Sequence, residues 1–214
     1  MKYFLDFGTH FFDTNHVGNT GKGPNGLLNS FYNQGYMDNG NWIVKTFEPS
    51  KSIFEANIPY IEEVKNKFYK FEAINAAVMD YTGVVNFRMM IGNPAGSNCI
   101  DITPHMSDVV DESKRNEIDE YDTSCINVCD IIEEIVNADS DAEIHIKCDI
   151  EGSEFKVLPK LLTFNNLEKY LKKIFIEWHE RYWLNHEDYS KISNIKTIVI
   201  NTLTQKGIEV HSHW

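Results

Sequence analysis

Ile146-Lys147-Cys148-Asp149-Ile150-Glu151-Gly152-Ser153-Glu154 is the stretch whose reading decides the architecture of this chain. An apolar-rich run from Ile144 to Ile150 leads into three carboxylates and a glycine, and Phe155, Val157, Leu158, Leu161 and Leu162 then recur at helical spacing. That order predicts a strand, a sharp turn at Gly152 and a helix. In open α/β sheets ligands bind outside the carboxyl ends of strands, so Asp149, Glu151 and Glu154 are candidate site residues. A plainer role is open to Ser153 and Glu154, which suit the first turn of a helix, where negative charge is favourable. Asp149 fits that role less well, because an acid at the end of a buried strand is costly without a partner or a task.

Working outward, the same alternation fills most of the chain. Lys2 to Gly8 reads as a buried strand ending in an acid and a glycine, Trp42 to Phe47 as a second, and Lys70 to Val78 as a third with its exit. Val84 to Met89 and Ile126 to Val128 read as further strands, with Asp130 opening the helix Ile131 to Asn137. Glu143 to Asp149 is the fourth core strand, Lys173 to His179 the fifth and Ile208 to Trp214 the last. Helices are expected over Leu27 to Gln34, over Ser50 to Asn57 with a kink or split at Pro59, and over Tyr189 to Gln205 with a stop at Gly207. The result is an α/β fold, a doubly wound and mostly parallel sheet with helices on both faces.

At 214 residues the chain suits one domain spanning 1–214. Two segments interrupt the alternation: an Asn/Gly/Thr-rich loop over 13–26, expected to be mobile, and an acid-rich stretch over about 92–124, expected to be an insertion on the substrate side. A net charge of −12 argues against a nucleic-acid or anionic-membrane partner. Cys99, Cys125, Cys129 and Cys148 form no CxxC pair, so neither a zinc site nor a disulfide framework is signalled. No apolar run approaches the ~18 residues of a membrane span and no signal peptide is recognisable, which predicts a soluble, cytoplasmic protein.

The other candidate residues stand at strand ends. Glu48, after the second strand, offers two carboxylate oxygens to the hydroxyls of a ribose, or else serves as a helix N-terminal acid. Asn75, Ala76 and Ala77 are small enough to let an adenine lie against the backbone. Glu177 and His179 share one face of the fifth strand, with Trp178 on the other. His105 and His186 read as surface residues, and His211 and His213 as a solvent face rather than a metal pair, since no third ligand is near. Thr9-His10-Phe11-Phe12 follows Gly8 where a dinucleotide fingerprint would carry more glycines, so GxGxxG is absent; around Gly21-Lys22 the P-loop pattern also fails.

The phrase Lys147 to Glu154, with Val157-Leu158 behind it, resembles the K-I-D-V-E-G-A-E and V-L signature of the FkbM-type methyltransferases. The likeness extends to Leu5-Asp6-Phe7-Gly8, Phe47-Glu48-Pro49, Asn75-Ala76-Ala77-Val78, Asp130 and Ile176-Glu177-Trp178-His179, in family order. The resemblance implies a Rossmann-like, class I fold that transfers a methyl group from S-adenosyl-L-methionine to a hydroxyl of a sugar, glycan or small metabolite. It implies cofactor contacts from Asp6, Gly8, Thr9, His10, Glu48, Asn75, Ala76 and Ala77. Asp149 and His179 would do the proton chemistry, and Glu151, Glu154 and Glu177 would contact the acceptor. No metal is expected; magnesium on Asp149, Glu151 or Glu177 is the minor alternative. His10 and Phe12 replace the family's Asn and Gly, which motivates a second reading as a non-catalytic binding module; a nicotinamide-dependent oxidoreductase is a third. The sheet is expected to lack the family's last antiparallel strand and to lean on a second copy of the chain.

Overall fold

The computed structural model describes residues 1–10, 41–90, 97–99, 118–184 and 186–212. The expected loop over 13–26, the helix Leu27 to Gln34, Phe12, His105, His213 and most of the 92–124 insertion lie outside the described residues.

A six-stranded sheet forms the centre, built from β1 (Lys2–Phe7), β2 (Trp42–Phe47), β3 (Lys70–Ile74), β8 (Glu143–Cys148), β9 (Leu171–Ile176) and β10 (Glu209–His211). Its order is β10-β9-β8-β1-β2-β3, and every neighbouring pair is parallel. The order reverses between β1 and β8, where Phe7 pairs with Cys148 and all carboxyl ends lie along one edge. Strands enclosed on both faces read as unbroken apolar runs. Accordingly Tyr3 to Phe7 and all of β2 are buried, Asp6, Lys45 and Thr46 included.

A second sheet, ordered β4-β7-β5-β6, combines β4 (Ala77–Met79), β5 (Gly83–Met90), β6 (Asn98–Cys99) and β7 (Ile118–Asn127). Here the structure corrects several sequence expectations. The third strand ends at Ile74, and its exit is not a plain loop: Asn75 donates from Nδ2 to the Glu48 and Pro49 carbonyls as the chain crosses to the second sheet, where Ala77 and Val78 open β4. Residues 118–124 are not insertion loop but strand, antiparallel to β5. Their period of two is disguised by acids: Tyr121, Thr123 and Cys125 turn inward while Glu120, Asp122 and Ser124 face water. Asn127, not Asp130, caps the helix that follows, α2 (Val128–Ala138), by accepting from the Cys129 N–H.

Helix α1 (Lys51–Val64) runs unbroken through Pro59. The carbonyl that proline leaves unbonded belongs to exposed Glu55, where water can satisfy it, so neither a kink nor a split is needed. Helices α3 (Glu154–Leu161), α4 (Leu167–Tyr170) and α5 (Tyr189–Gln205) complete the layers, and Gly207 stops α5 at φ +77°. One apolar cluster joins both sheets to these helices, from Leu5 and Ile146 through Val78 and Val85 to Leu158 and Val199. No helix among the described residues is long and apolar enough to cross a membrane.

Candidate functional site

The carboxyl edge of the central sheet gathers the candidate residues because a parallel sheet ends all its strands on one side. β1 ends in Gly8 at φ +79°, a conformation open to glycine at little cost. A Cβ there would stand 1.8 Å from the Asp149 carbonyl oxygen, so the backbones meet with no room for a side chain. The Gly8 and Thr9 N–H groups both donate to the Phe47 carbonyl, at 3.1 Å each, and the His10 N–H donates to Glu48 Oε2 at 2.8 Å. Three successive donors of the first turn are thus consumed within the chain. His10 sits at φ +47°, a region where Asn and His are both enriched, so His standing for the family's Asn keeps the local backbone.

Glu48 is buried, takes the N–H groups of His10 and Ser50 at 2.8 Å each, and is fixed by Asn75 through its own carbonyl. Burial pushes its carboxyl up to about 7, against the opposing pull of those two N–H groups. Thr9 turns inward, its hydroxyl donating toward the Asp6 and Phe47 carbonyls, and Ala76 and Ala77 are buried. A side-chain contact from Thr9 to a cofactor is therefore replaced by a role in tying β1 to β2.

Lys147, which sequence reasoning passed over, binds the two halves of the edge. Its ammonium donates to the Gly8 carbonyl at 2.6 Å and lies 3.3 Å from Asp6 Oδ1 and 3.3 Å from Asp149 Oδ2. A lysine at the penultimate position of an apolar-rich strand was the available signal, since such a group is buried only with a partner.

Beyond β8 the chain turns through Glu151 at φ +50° and Gly152 at φ +102° into α3. Glu154 is fully buried: Oε2 accepts from the Gly152 N–H at 2.8 Å, while Oε1 accepts from the His179 N–H at 2.7 Å and from His179 Nδ1 at 3.1 Å. This corrects its assignment to the acceptor, because no surface of Glu154 is left to meet one. The plainer role near the helix start is closer, extended by a clamp on the β9 exit. Trp178 packs on Phe155, with ring centroids 5.3 Å apart, while Glu177 and His179 turn to the opposite side.

His179 has no solvent-exposed surface. Its Nε2 lies 3.3 Å from Glu151, 3.6 Å from Glu177 and 3.7 Å from Asp149, without hydrogen-bond geometry to any of them. Burial disfavours charge on the ring, but Glu154 and Glu151 outweigh it and hold the imidazole pKa well above its usual value. Tyr182 stacks on the ring and donates its hydroxyl to Glu151, and burial with the neighbouring carboxylate pushes the phenol pKa far up. The carboxylates of Asp149, Glu151 and Glu177 keep 14–18% of their side-chain surface open, so this cluster is reachable from solvent.

His211 lies apart from the cluster, paired with Glu209 and stacked on Phe175, and none of the four cysteines is joined in a disulfide. A family model described as the methyltransferase FkbM domain matches residues 6–195. No curated protein and no solved structure matches the chain.

Proposed function

We propose that this chain, which belongs to the FkbM methyltransferase family, moves a methyl group from S-adenosyl-L-methionine to a hydroxyl oxygen on a sugar, a glycan or a small metabolite. The observation that carries this reading is the chemistry of the crevice where strand order reverses. Asp6 and Glu48 bring carboxylates to the cofactor side of that edge, and the N–H groups of Gly8, Thr9 and His10 are spent inside the chain. Such a donor set suits a ligand bearing a sulfonium and an ammonium. It opposes a pyrophosphate, which needs free N–H groups at the first turn, and so counts against a nicotinamide cofactor. When bound, the cofactor supplies an electrophilic methyl group.

Gly8 and His10 would border its amino-acid end, with Asp6 buried behind them against Lys147, Glu48 would meet its ribose, and the Asn75 to Ala77 backbone its adenine. On the acceptor side the protein has to orient one oxygen and receive its proton. Asp149 takes the proton: its carboxylate is partly open and is held in place by Lys147. His179 acts as a positioning residue, anchored by Glu154 and facing Asp149, Glu151 and Glu177. Glu151 and Glu177 accept hydrogen bonds from the acceptor's other hydroxyls.

The test is transfer of a labelled methyl group to a panel of glycans and hydroxylated metabolites, with calorimetry of S-adenosylmethionine and its demethylated product. Asp149→Asn is expected to lower turnover by about 10²–10⁴-fold, the usual contribution of a general base, with little change in cofactor affinity. Binding of neither cofactor form overturns the reading, and binding without turnover on any acceptor favours a non-catalytic module.

A further inference from the structure

The acceptor-side cluster carries features that proton chemistry alone does not use. Asp149, Glu177 and His179 each present one ligand atom, and these atoms lie within 4.8 Å of one another. Two donors about 2.1–2.2 Å from one ion stand roughly 3–4.3 Å apart, so the 3.6 and 3.7 Å from His179 Nε2 to Glu177 and Asp149 need little adjustment. We infer that Asp149 Oδ1, Glu177 Oε1 and His179 Nε2 form a binding site for a divalent cation of borderline hardness, of the Mn2+ class, with Glu151 as a further oxygen ligand.

The ring itself points to a ligand. His179 is wholly buried, and its Nε2 faces the carboxylates without a hydrogen bond. Its Nδ1 is taken by Glu154 at 3.1 Å, and a carboxylate only accepts, so Nδ1 carries hydrogen and Nε2 keeps its lone pair in the neutral ring. Carboxylate, imidazole, metal is the usual order by which a second carboxylate fixes the tautomer of a ligating histidine. The local charge agrees. Four carboxylates surround His179, met by Arg181 near Glu177 and by a Lys147 shared with Asp6, so negative charge is in excess even with the ring protonated. One imidazole with two or three carboxylates suits Mn2+ better than Mg2+, which favours oxygen alone, or Zn2+, which favours more nitrogen or sulfur.

The part such an ion would take in transfer rests on the methyl-transfer reading: as a Lewis acid it would bind the acceptor oxygen and lower its pKa, next to Asp149. The existence of the site does not rest on it. The experiment is titration of chelator-treated protein with MnCl2, with free Mn2+ followed by its electron-paramagnetic-resonance signal. One saturable site per chain is expected, weakened at least tenfold by Glu177→Gln and left as it is by Glu143→Gln on the far end of β8. No saturable site, or an unchanged Kd in Glu177→Gln, overturns the inference. Should Glu177→Gln fail to fold, the wild type decides: substoichiometric Mn2+ is expected to broaden the His179 ring protons before those of His145, His186 and His211, and the reverse order overturns it. Calorimetry with S-adenosylmethionine on the metal-free protein reports the methyl-transfer reading separately, so either can fail without the other.

Discussion

Gly8 and Asp149 touch backbone to backbone, and the Cβ that Gly8 lacks would fall 1.8 Å from the Asp149 carbonyl oxygen. The contact closes the point where the central sheet reverses its order, and Asp149 N–H completes it by donating to the Phe7 carbonyl at 3.1 Å. Gly207 offers an internal control. It has nearly the same φ, +77° against +79°, but nothing lies within 4 Å of the Cβ it would gain. Gly207→Ala is therefore expected to cost only the backbone strain, about 1 kcal/mol, and Gly8→Ala about 2–4 kcal/mol, because β1 and β8 must also part. Urea denaturation of the two variants measures the difference, and equal losses would remove the close approach as a constraint.

Lys147 is buried against Asp6, itself without exposure, and also reaches Asp149. Removing one member of a buried ion pair costs more than the pair contributes, since the other charge stays in low dielectric. Lys147→Met is expected to lose about 3–5 kcal/mol of stability. Asp6→Asn added to that variant should recover part of the loss, a coupling that a double-mutant cycle reads directly. Strict additivity of the two changes would mean that the ammonium serves Asp149 and the Gly8 carbonyl instead.

How far the sequence reached follows from which periodicities survive in it. Buried parallel strands carry unbroken apolar runs, so β1, β2, β8 and β9 were legible, as was α5 from Tyr189 to Gln205 between an acid and a glycine. Strand β7 was legible only at its end, Ile126 and Asn127, because one face of the rest is open to water and its acids mask the alternation. The strand-end acids were legible as a group, but not their division of labour. Nothing in Glu151-Gly152-Ser153-Glu154 says that a left-handed Glu151 would swing Glu154 inward to grip His179 while Glu151 stays at the rim. That depends on β8 and β9 being neighbours, a contact that no local pattern carries. Lys147 was hidden for the same reason, its partners Asp6 and Gly8 lying about 140 positions away.

Glu154 takes three donors from the chain, the Gly152 N–H, the His179 N–H and His179 Nδ1. Gln has the same shape but only one accepting oxygen, so Glu154→Gln turns an amide donor toward a buried N–H. A loss of about 2–4 kcal/mol is expected, within the range for hydrogen bonds to a buried charged group. Glu151→Gln, at the partly open rim, should cost under about 1 kcal/mol, as surface-near polar changes do. Thermal unfolding ranks the two, and a larger loss in Glu151→Gln would reverse the assignment of clamp and rim.

Glu48 makes folding depend on pH, and in the proposed cofactor pose it would make binding depend on pH with the opposite sign. Burial raises its carboxyl to about 7 from 4.5, so the folded chain keeps a proton that the unfolded chain has released between those two values. Over that window the unfolded state binds fewer protons, and the stability present below pH 4.5 falls as pH rises to about 7, by about 3 kcal/mol in all. In the proposed pose, ribose hydroxyls donating to Glu48 would favour the anion instead. Affinity for S-adenosylmethionine is therefore expected to rise with pH, by up to about tenfold per unit below pH 7, and to level off above it. Calorimetry at several pH values in two buffers of different ionisation heat should detect release of up to one proton per cofactor bound at pH 6. Glu48→Gln should flatten the profile and weaken binding at pH 8 by about 1–3 kcal/mol, the value of a hydrogen bond to a charged group. A wild-type affinity that is level from pH 6 to 8, with no proton released, would move the ribose away from Glu48.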